Sequence, residues 1–369
     1  MKEGKPASQM NRFDIRQEED LTQLTRLPED VTEVTITGLF DRFNRVRLPL
    51  LPAHVTKLTL RSLVLEEPIV FAEGLQELSM TEVKSERSMR EWHFPRSLQQ
   101  FTMRQFNGEF DLRTVTAVSI TLQHMREAAK VLLPESLDEL KISRSQLAAI
   151  TKIEVPPHLR SLTLDYTLGG SNGLTWRVNP SVKELTISGY PDRVALPIGE
   201  TWPNVECLVL DNYFPTVMPS LELDHLGELT LMGRLSENKL SIQAPRLETL
   251  IVSGNRGYGD ADLSDPANGL GETIVTMVLD SVTAFPAAYD WERLESLTVR
   301  GSEIELPQIR WLEELTVDRP LMTNGYYVGN IDEYKQAWGA SRSKRPSRPS
   351  ETAGRSSSRS PEAVRTIEF

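Results

Sequence analysis

One hydrophobic pattern recurs fourteen times along the chain: apolar, two variable, apolar, one variable, apolar. It begins as VTEVTI at Val31 and VTKLTL at Val55, passes through VTAVSI at Val115 and LDELKI at Leu137, and ends as LEELTV at Leu312. Most intervals are 20–24 residues, with extremes of 17 and 27. In a strand, alternate side chains point to opposite sides. The fourth and sixth positions therefore face one way, and the third, fifth and seventh face the other. One such coil cannot bury its apolar side alone, but a stack of coils can. The spacing thus predicts a solenoid whose strands, about 4.8 Å apart, form one parallel sheet.

Proline often sits just upstream, as in LPEDV from Leu27, LPAHV from Leu51 and LPESL from Leu133. It cannot donate to a ladder, which suits a turn entering a strand. Over about residues 24–320 this pattern resembles the leucine-rich repeat superfamily. The LPxxLxxLxL flavour is similar to the repeats of bacterial effectors, amoebal FNIP proteins and fungal F-box proteins. The resemblance implies an α/β leucine-rich-repeat horseshoe, with a concave parallel sheet of about fourteen strands and mostly irregular convex segments. One feature departs from the family. Where its asparagine ladder stands, this chain carries Leu39, Leu63, Val83, Phe106, Tyr190, Tyr213 and Val282, with asparagine only at Asn255. Apolar packing is expected to replace the ladder. A parallel β-helix is the alternative, and its coils would carry further strand-like alternation between the copies.

The expected organisation is a polar segment 1–20, a solenoid 21–320, a cap with a short helix 321–339, and a disordered Ser/Arg/Pro-rich tail 340–369. TLQHMREAAKVLLPES from Thr121 has helical composition. The cap helix is read in NIDEYKQAWGA, with Asp332 capping and Tyr334 and Trp338 on one face. The tail is basic within a chain of net charge -11. Arg355 before Ser358, and Pro361 after Ser360, make those serines phosphorylation candidates, since phosphate would reverse the local charge. No apolar run reaches the roughly 20 residues of a membrane span, and the N-terminus shows no apolar signal segment. An intracellular protein, cytoplasmic or nuclear, is expected.

Little chemistry is concentrated locally. His54, His158 and His225 share a repeat phase, but the closest pair lies three coils apart, roughly 14 Å, too far for one zinc ion. The single cysteine, Cys207, has no nucleophile signature around it. The loop from Arg256, with Asp260, Asp262 and Asp265, lacks the spacing of a calcium loop. No catalytic residue, metal or cofactor is therefore expected. The outward positions are more informative. Ten of the fourteen fifth positions are Thr or Ser, which suits a half-exposed strand. Acids collect toward the C-terminal half, and they select Glu139, Asp165, Glu184, Asp211 and Glu228, with Tyr166, as a partner-binding group. Such charges steer a basic partner, and the acidic balance argues against nucleic acid. The expected function is a non-enzymatic protein–protein interaction scaffold. Resemblance to F-box repeat proteins implies, as an alternative, the substrate-recognition part of a ubiquitin ligase with a separate adaptor. An enzyme with a site hidden in the linear sequence is the reading from another class.

Overall fold

The structure is a computed structural model. It describes residues 12–15, 18–38, 45–85, 92–105, 109–113, 115–124, 130–145, 152–165, 178–190, 198–213, 220–233, 241–254, 272–282 and 291–338. The chain forms two compact units, Met1–Val182 and Lys183–Phe369. Each is a stack of coils contributing short parallel strands in chain order. In the first unit they are Arg12–Ile15, Glu33–Thr37, Lys57–Arg61, Glu77–Thr81, Gln100–Arg104, Ser119–Gln123, Glu139–Ser143 and Ser161–Asp165. In the second they are Glu184–Tyr190, Cys207–Tyr213, Glu228–Met232, Thr249–Ser253, Thr276–Asp280, Ser296–Arg300 and Glu314–Val317. The chain is a parallel β-solenoid with little helix. Among the described residues no helix is long and apolar enough to cross a membrane.

Each motif position has a structural job. The first, fourth and sixth residues fill the interior: Val55, Leu58 and Leu60 are at most 1% exposed, as are Leu226, Leu229 and Leu231. Burying one such side chain contributes about 1.5–3 kcal/mol, so repetition supplies the core. The strand is entered through a turn in which the first amide donates to the proline carbonyl three residues back. Val31 N donates to Pro28 O at 3.0 Å and Val55 N to Pro52 O at 3.1 Å. Copies without proline make the same turn, for example Leu226 N to Leu223 O at 3.1 Å. The turn geometry, rather than proline itself, is therefore the requirement.

The strand is left through the eighth residue, which is left-handed in coil after coil. Ser62, Glu82, Gln105, His124, Arg144, Asn212 and Ser281 have φ of 48–57°, and Gly189, Gly233 and Gly301 share this region. The eighth amide donates to the seventh carbonyl of the next coil, as Ser62 N does to Thr81 O and Ser281 N to Arg300 O, at 2.9 and 2.8 Å. Backbone thus meets much of the demand that an asparagine ladder would meet. At the ninth position Leu63, Val83 and Val282 are buried at 1–2% exposure, the apolar replacement expected there. Two coils use serine instead. Ser302 Oγ donates to Arg300 O and accepts from Val282 N, both at 2.9 Å. Ser145 Oγ donates to Ser143 O at 2.9 Å.

Four expectations about the coils need correction. The segments between main strands are not irregular throughout. They carry short parallel strands of their own: Arg45–Val46 with Val64–Leu65 and Lys84–Ser85, Glu109–Asp111 with Lys130–Leu132 and Lys152–Glu154, and Ser220–Glu222 with Ser241–Gln243. This is the further pairing expected of a β-helix. Second, Lys130–Leu132 lies in the segment of helical composition, where neighbours on both sides offer a ladder that local propensity cannot match. Third, the first strand, Arg12–Ile15, falls inside the segment read as a polar N-terminus, and a 3₁₀-helix, Glu18–Arg26, follows it with Leu21 and Leu24 buried. Fourth, copy five closes its entry turn at Val115, yet its strand is Ser119–Gln123. Two extra residues intervene, so Thr121, not Ser119, holds the fifth position, and Val118 is 47% exposed. Ile120 and Leu122 still face inward, but the expected sides of Ala117 and Val118 are exchanged: Ala117 is buried and Val118 is exposed.

The second unit ends in a built cap. A hairpin, Leu321–Thr323 with Tyr326–Val328, precedes the helix Ile331–Ala337. Its N-cap is Asn330, not Asp332: the Asn330 side chain accepts from the amides of Asp332 and Glu333, each at 3.0 Å. Tyr334 is buried, and its hydroxyl accepts from Ile309 N and donates to Pro307 O, each at 2.6 Å. Trp338 Nε1 donates to Thr323 Oγ1 at 2.7 Å.

Candidate partner-binding face

Strand alternation turns third, fifth and seventh residues to the outward side, so each ladder presents three parallel rows, with Ser143 and Thr230 buried within them. In the first unit the third row alternates in sign from Arg12 through Glu33 and Lys57 to Glu77. Lys57 Nζ meets Glu77 Oε2 at 2.8 Å. The hydrogen bond and charge of Glu77 hold the ammonium above its ordinary range, and Glu33 adds to this. The fifth row there is Thr35, Thr59, Ser79, Thr102, Thr121, Lys141 and Thr163, after Asp14. Glu139 is exposed in register with Ser119 and Ser161, and Asp165 is half-buried in register with Ser143. Opposite charges largely balance across this face.

The second unit differs. Glu184, Cys207 and Glu228 are successive partners in the third row. Two carboxylates thus bracket the thiol. Burial first, then Glu228 and Glu184, raise the Cys207 pKa, because each disfavours the thiolate. A nucleophile needs the opposite environment. In the seventh row Asp211 accepts from Ser188 Oγ and Asn212 Nδ2, both at 2.7 Å. Asp280 accepts from Ser281 Oγ at 2.9 Å, and Asp318 from Gly301 N at 2.8 Å. Backbone and hydroxyl donors hold these acids in place. Among the described residues, the outward third and seventh positions of this unit hold Glu184, Asp211, Glu228, Asp280, Glu314 and Asp318, against Arg300 alone.

The six-residue group expected from sequence is therefore divided. Glu184, Asp211 and Glu228 share one face of the second unit, whereas Glu139 and Asp165 belong to the first. Tyr166, the loop from Arg256, Ser358 and Ser360 lie outside the described residues. Tyr190 and Tyr213 pair through their backbones. Among the described residues no three His, Cys, Asp or Glu side chains converge as a metal site would need. What the charge-based reading passed over is the row between the acids. There Val209, Thr230, Ile251 and Val278 stand in register, with Met232 in the seventh row of the strand carrying Thr230. The signal was legible as aliphatic residues in a row otherwise rich in threonine. Compared with family models, curated proteins and solved structures, the chain matches none.

Proposed function

We propose that this protein is a non-enzymatic interaction scaffold that binds a basic protein partner inside the cell on the outward strand face of its second unit. The observation carrying this reading is the acid-rich pair of rows, with six carboxylates against one arginine. Such a one-signed surface steers an oppositely charged partner and rejects like-charged ones. The repeat frame is taken to be of leucine-rich-repeat type, in which this sheet face would be the concave one. Support comes from the LxxLxL register and the short strands. The raised pKa of Cys207 is the opposite of what an activated thiolate at that position needs.

The test is affinity capture from cells with the intact chain and with Glu184→Lys, Asp211→Lys and Glu228→Lys combined. A stoichiometric partner should be retained by the first and lost by the second. Equal retention by the reversed chain, or no partner even at low salt, would overturn the proposal.

A further inference from the structure

The same face carries a second chemistry. In the first unit the fifth row contains no aliphatic side chain from Thr35 to Thr163. In the second, Val209, Ile251 and Val278 occupy it, each half-buried, with Thr230, itself buried, between the first two. Half-buried Met232 widens the strip on one side. Glu184 and Glu228 lie along one flank, and Asp211 and Asp280 along the other. Arg300, the register partner of Asp280, breaks the acid row and bounds the strip just past Val278. An apolar centre with a charged rim is the anatomy of a protein interface, and solubility alone does not call for adjacent aliphatic residues on an open strand face.

The dimensions select the occupant. Strands stand about 4.8 Å apart, so the row from Val209 to Val278 runs about 14 Å; third and seventh residues are separated by about 13 Å along the strand. An α-helix is about 10–12 Å across and rises about 5.4 Å per turn. Laid along the row, it offers about one side chain per strand to the strip, while its two flanks reach the two acid rows. We infer that this strip docks an amphipathic α-helix of a partner protein, with aliphatic residues on one face and Lys or Arg on both flanks. The inference rests on the scaffold reading and names the partner's form.

The experiment uses the full chain and a labelled synthetic peptide of about 18 residues, five helical turns. The peptide contains only leucine and lysine, with the leucines on one helical face. A second peptide of equal composition has its leucines spread around the helix. Fluorescence anisotropy should show binding of the first peptide and weaker binding of the second. Ile251→Thr with Val278→Thr installs the residue usual in this row, and Asp211→Lys with Glu228→Lys reverses the rims. Each pair should weaken binding by about tenfold or more. Glu66→Lys with Glu73→Lys, at exposed acids of the first unit, should not. Thermal melts check that every variant is folded. Equal binding of both peptides, equal loss in the Glu66/Glu73 control, or no effect of the threonine pair would overturn the inference. So would much tighter peptide binding by a chain ending at Gly339, which would make the tail the occupant of the strip. If the peptide fails while capture of the natural partner still depends on Glu184, Asp211 and Glu228, the scaffold reading stands and the helix falls.

Discussion

Whether a coil closes onto the next is decided at its eighth residue. Glycine takes the left-handed conformation at little cost, whereas other residues lose roughly 1–2 kcal/mol there. Here Gln105 takes it with φ of 55°, and its amide donates to Gln123 O at 2.9 Å. Gln105→Gly should leave stability unchanged or raise it by up to about 1 kcal/mol, whereas Gln105→Val should lower it by about 1–2 kcal/mol. Urea denaturation of the two variants checks both signs. The position was not legible beforehand, because Ser, Glu, Gln, His, Arg, Asn and Gly all fill it. No side-chain chemistry marks it, since its task belongs to the backbone. Cys207 yields a second residue-scale expectation. Burial and the flanking Glu228 and Glu184 push its thiol pKa up, so less thiolate is present at mildly alkaline pH than in a free cysteine. Iodoacetamide should alkylate Cys207 several-fold more slowly than a model thiol, and Glu228→Gln should raise the rate. A rate equal to the free thiol, insensitive to Glu228, would mean that the carboxylates do not act on it.

At the scale of elements, the joints between coils carry the specific polar chemistry. Ser302 both accepts the Val282 amide and donates to the Arg300 carbonyl, and it is 1% exposed. Ser302→Ala strands a buried amide, at a cost of about 1–3 kcal/mol. Faster hydrogen exchange at Val282, along with a lower melting temperature, is the expected signature. The cap helix makes a pH-dependent contribution. Tyr334 is buried, and its pKa is raised from 10.0 to about 12, chiefly by burial. The native state therefore favours the protonated phenol. That stability is fully present below pH 10.0, declines as the pH rises toward about 12, and is lost above it. Tyr334→Phe should lower stability at neutral pH, because Ile309 N and Pro307 O lose their partner. It should also flatten the alkaline decline over that window. An unchanged slope would place the titrating group elsewhere. The cap helix was legible from its local spacing, with the capping residue displaced by two, from Asp332 to Asn330. The strand Lys130–Leu132 was not, since its pairing with Glu109–Asp111 and Lys152–Glu154 joins residues about twenty apart. Local composition carries no record of such a partner.

At the scale of the whole molecule, legibility follows the range of the interaction that sets each feature. The main strands repeat one short-range alternation many times, so the solenoid and most of its inward residues were readable, except at the two-residue insertion before Ser119, where Ala117 is buried and Val118 exposed. The binding face was half readable. Its acids stand out as charges, whereas Val209, Ile251 and Val278 stand out only by contrast with the threonines of their row, which the strand register then brings side by side. A stack of this kind is held by nearest-neighbour contacts, so a disturbance at one end should fade coil by coil. The cap offers the test. Tyr334 ties the helix to Pro307 and Ile309, and Trp338 ties it to the hairpin through Thr323. Replacing both by alanine removes those ties and uncovers the last coil. Amide exchange should then accelerate most in Glu314–Val317, less in Ser296–Arg300, and least in Glu184–Tyr190, the far strand of the same unit. Equal acceleration in all three would show that the second unit opens as one block, and nearest-neighbour coupling would not describe it. A graded response would mean that the strip from Val209 to Val278, placed inside the stack, keeps its register while the end frays. Partner binding should then survive loosening of the cap, with affinity falling by less than about tenfold, although the melting temperature drops.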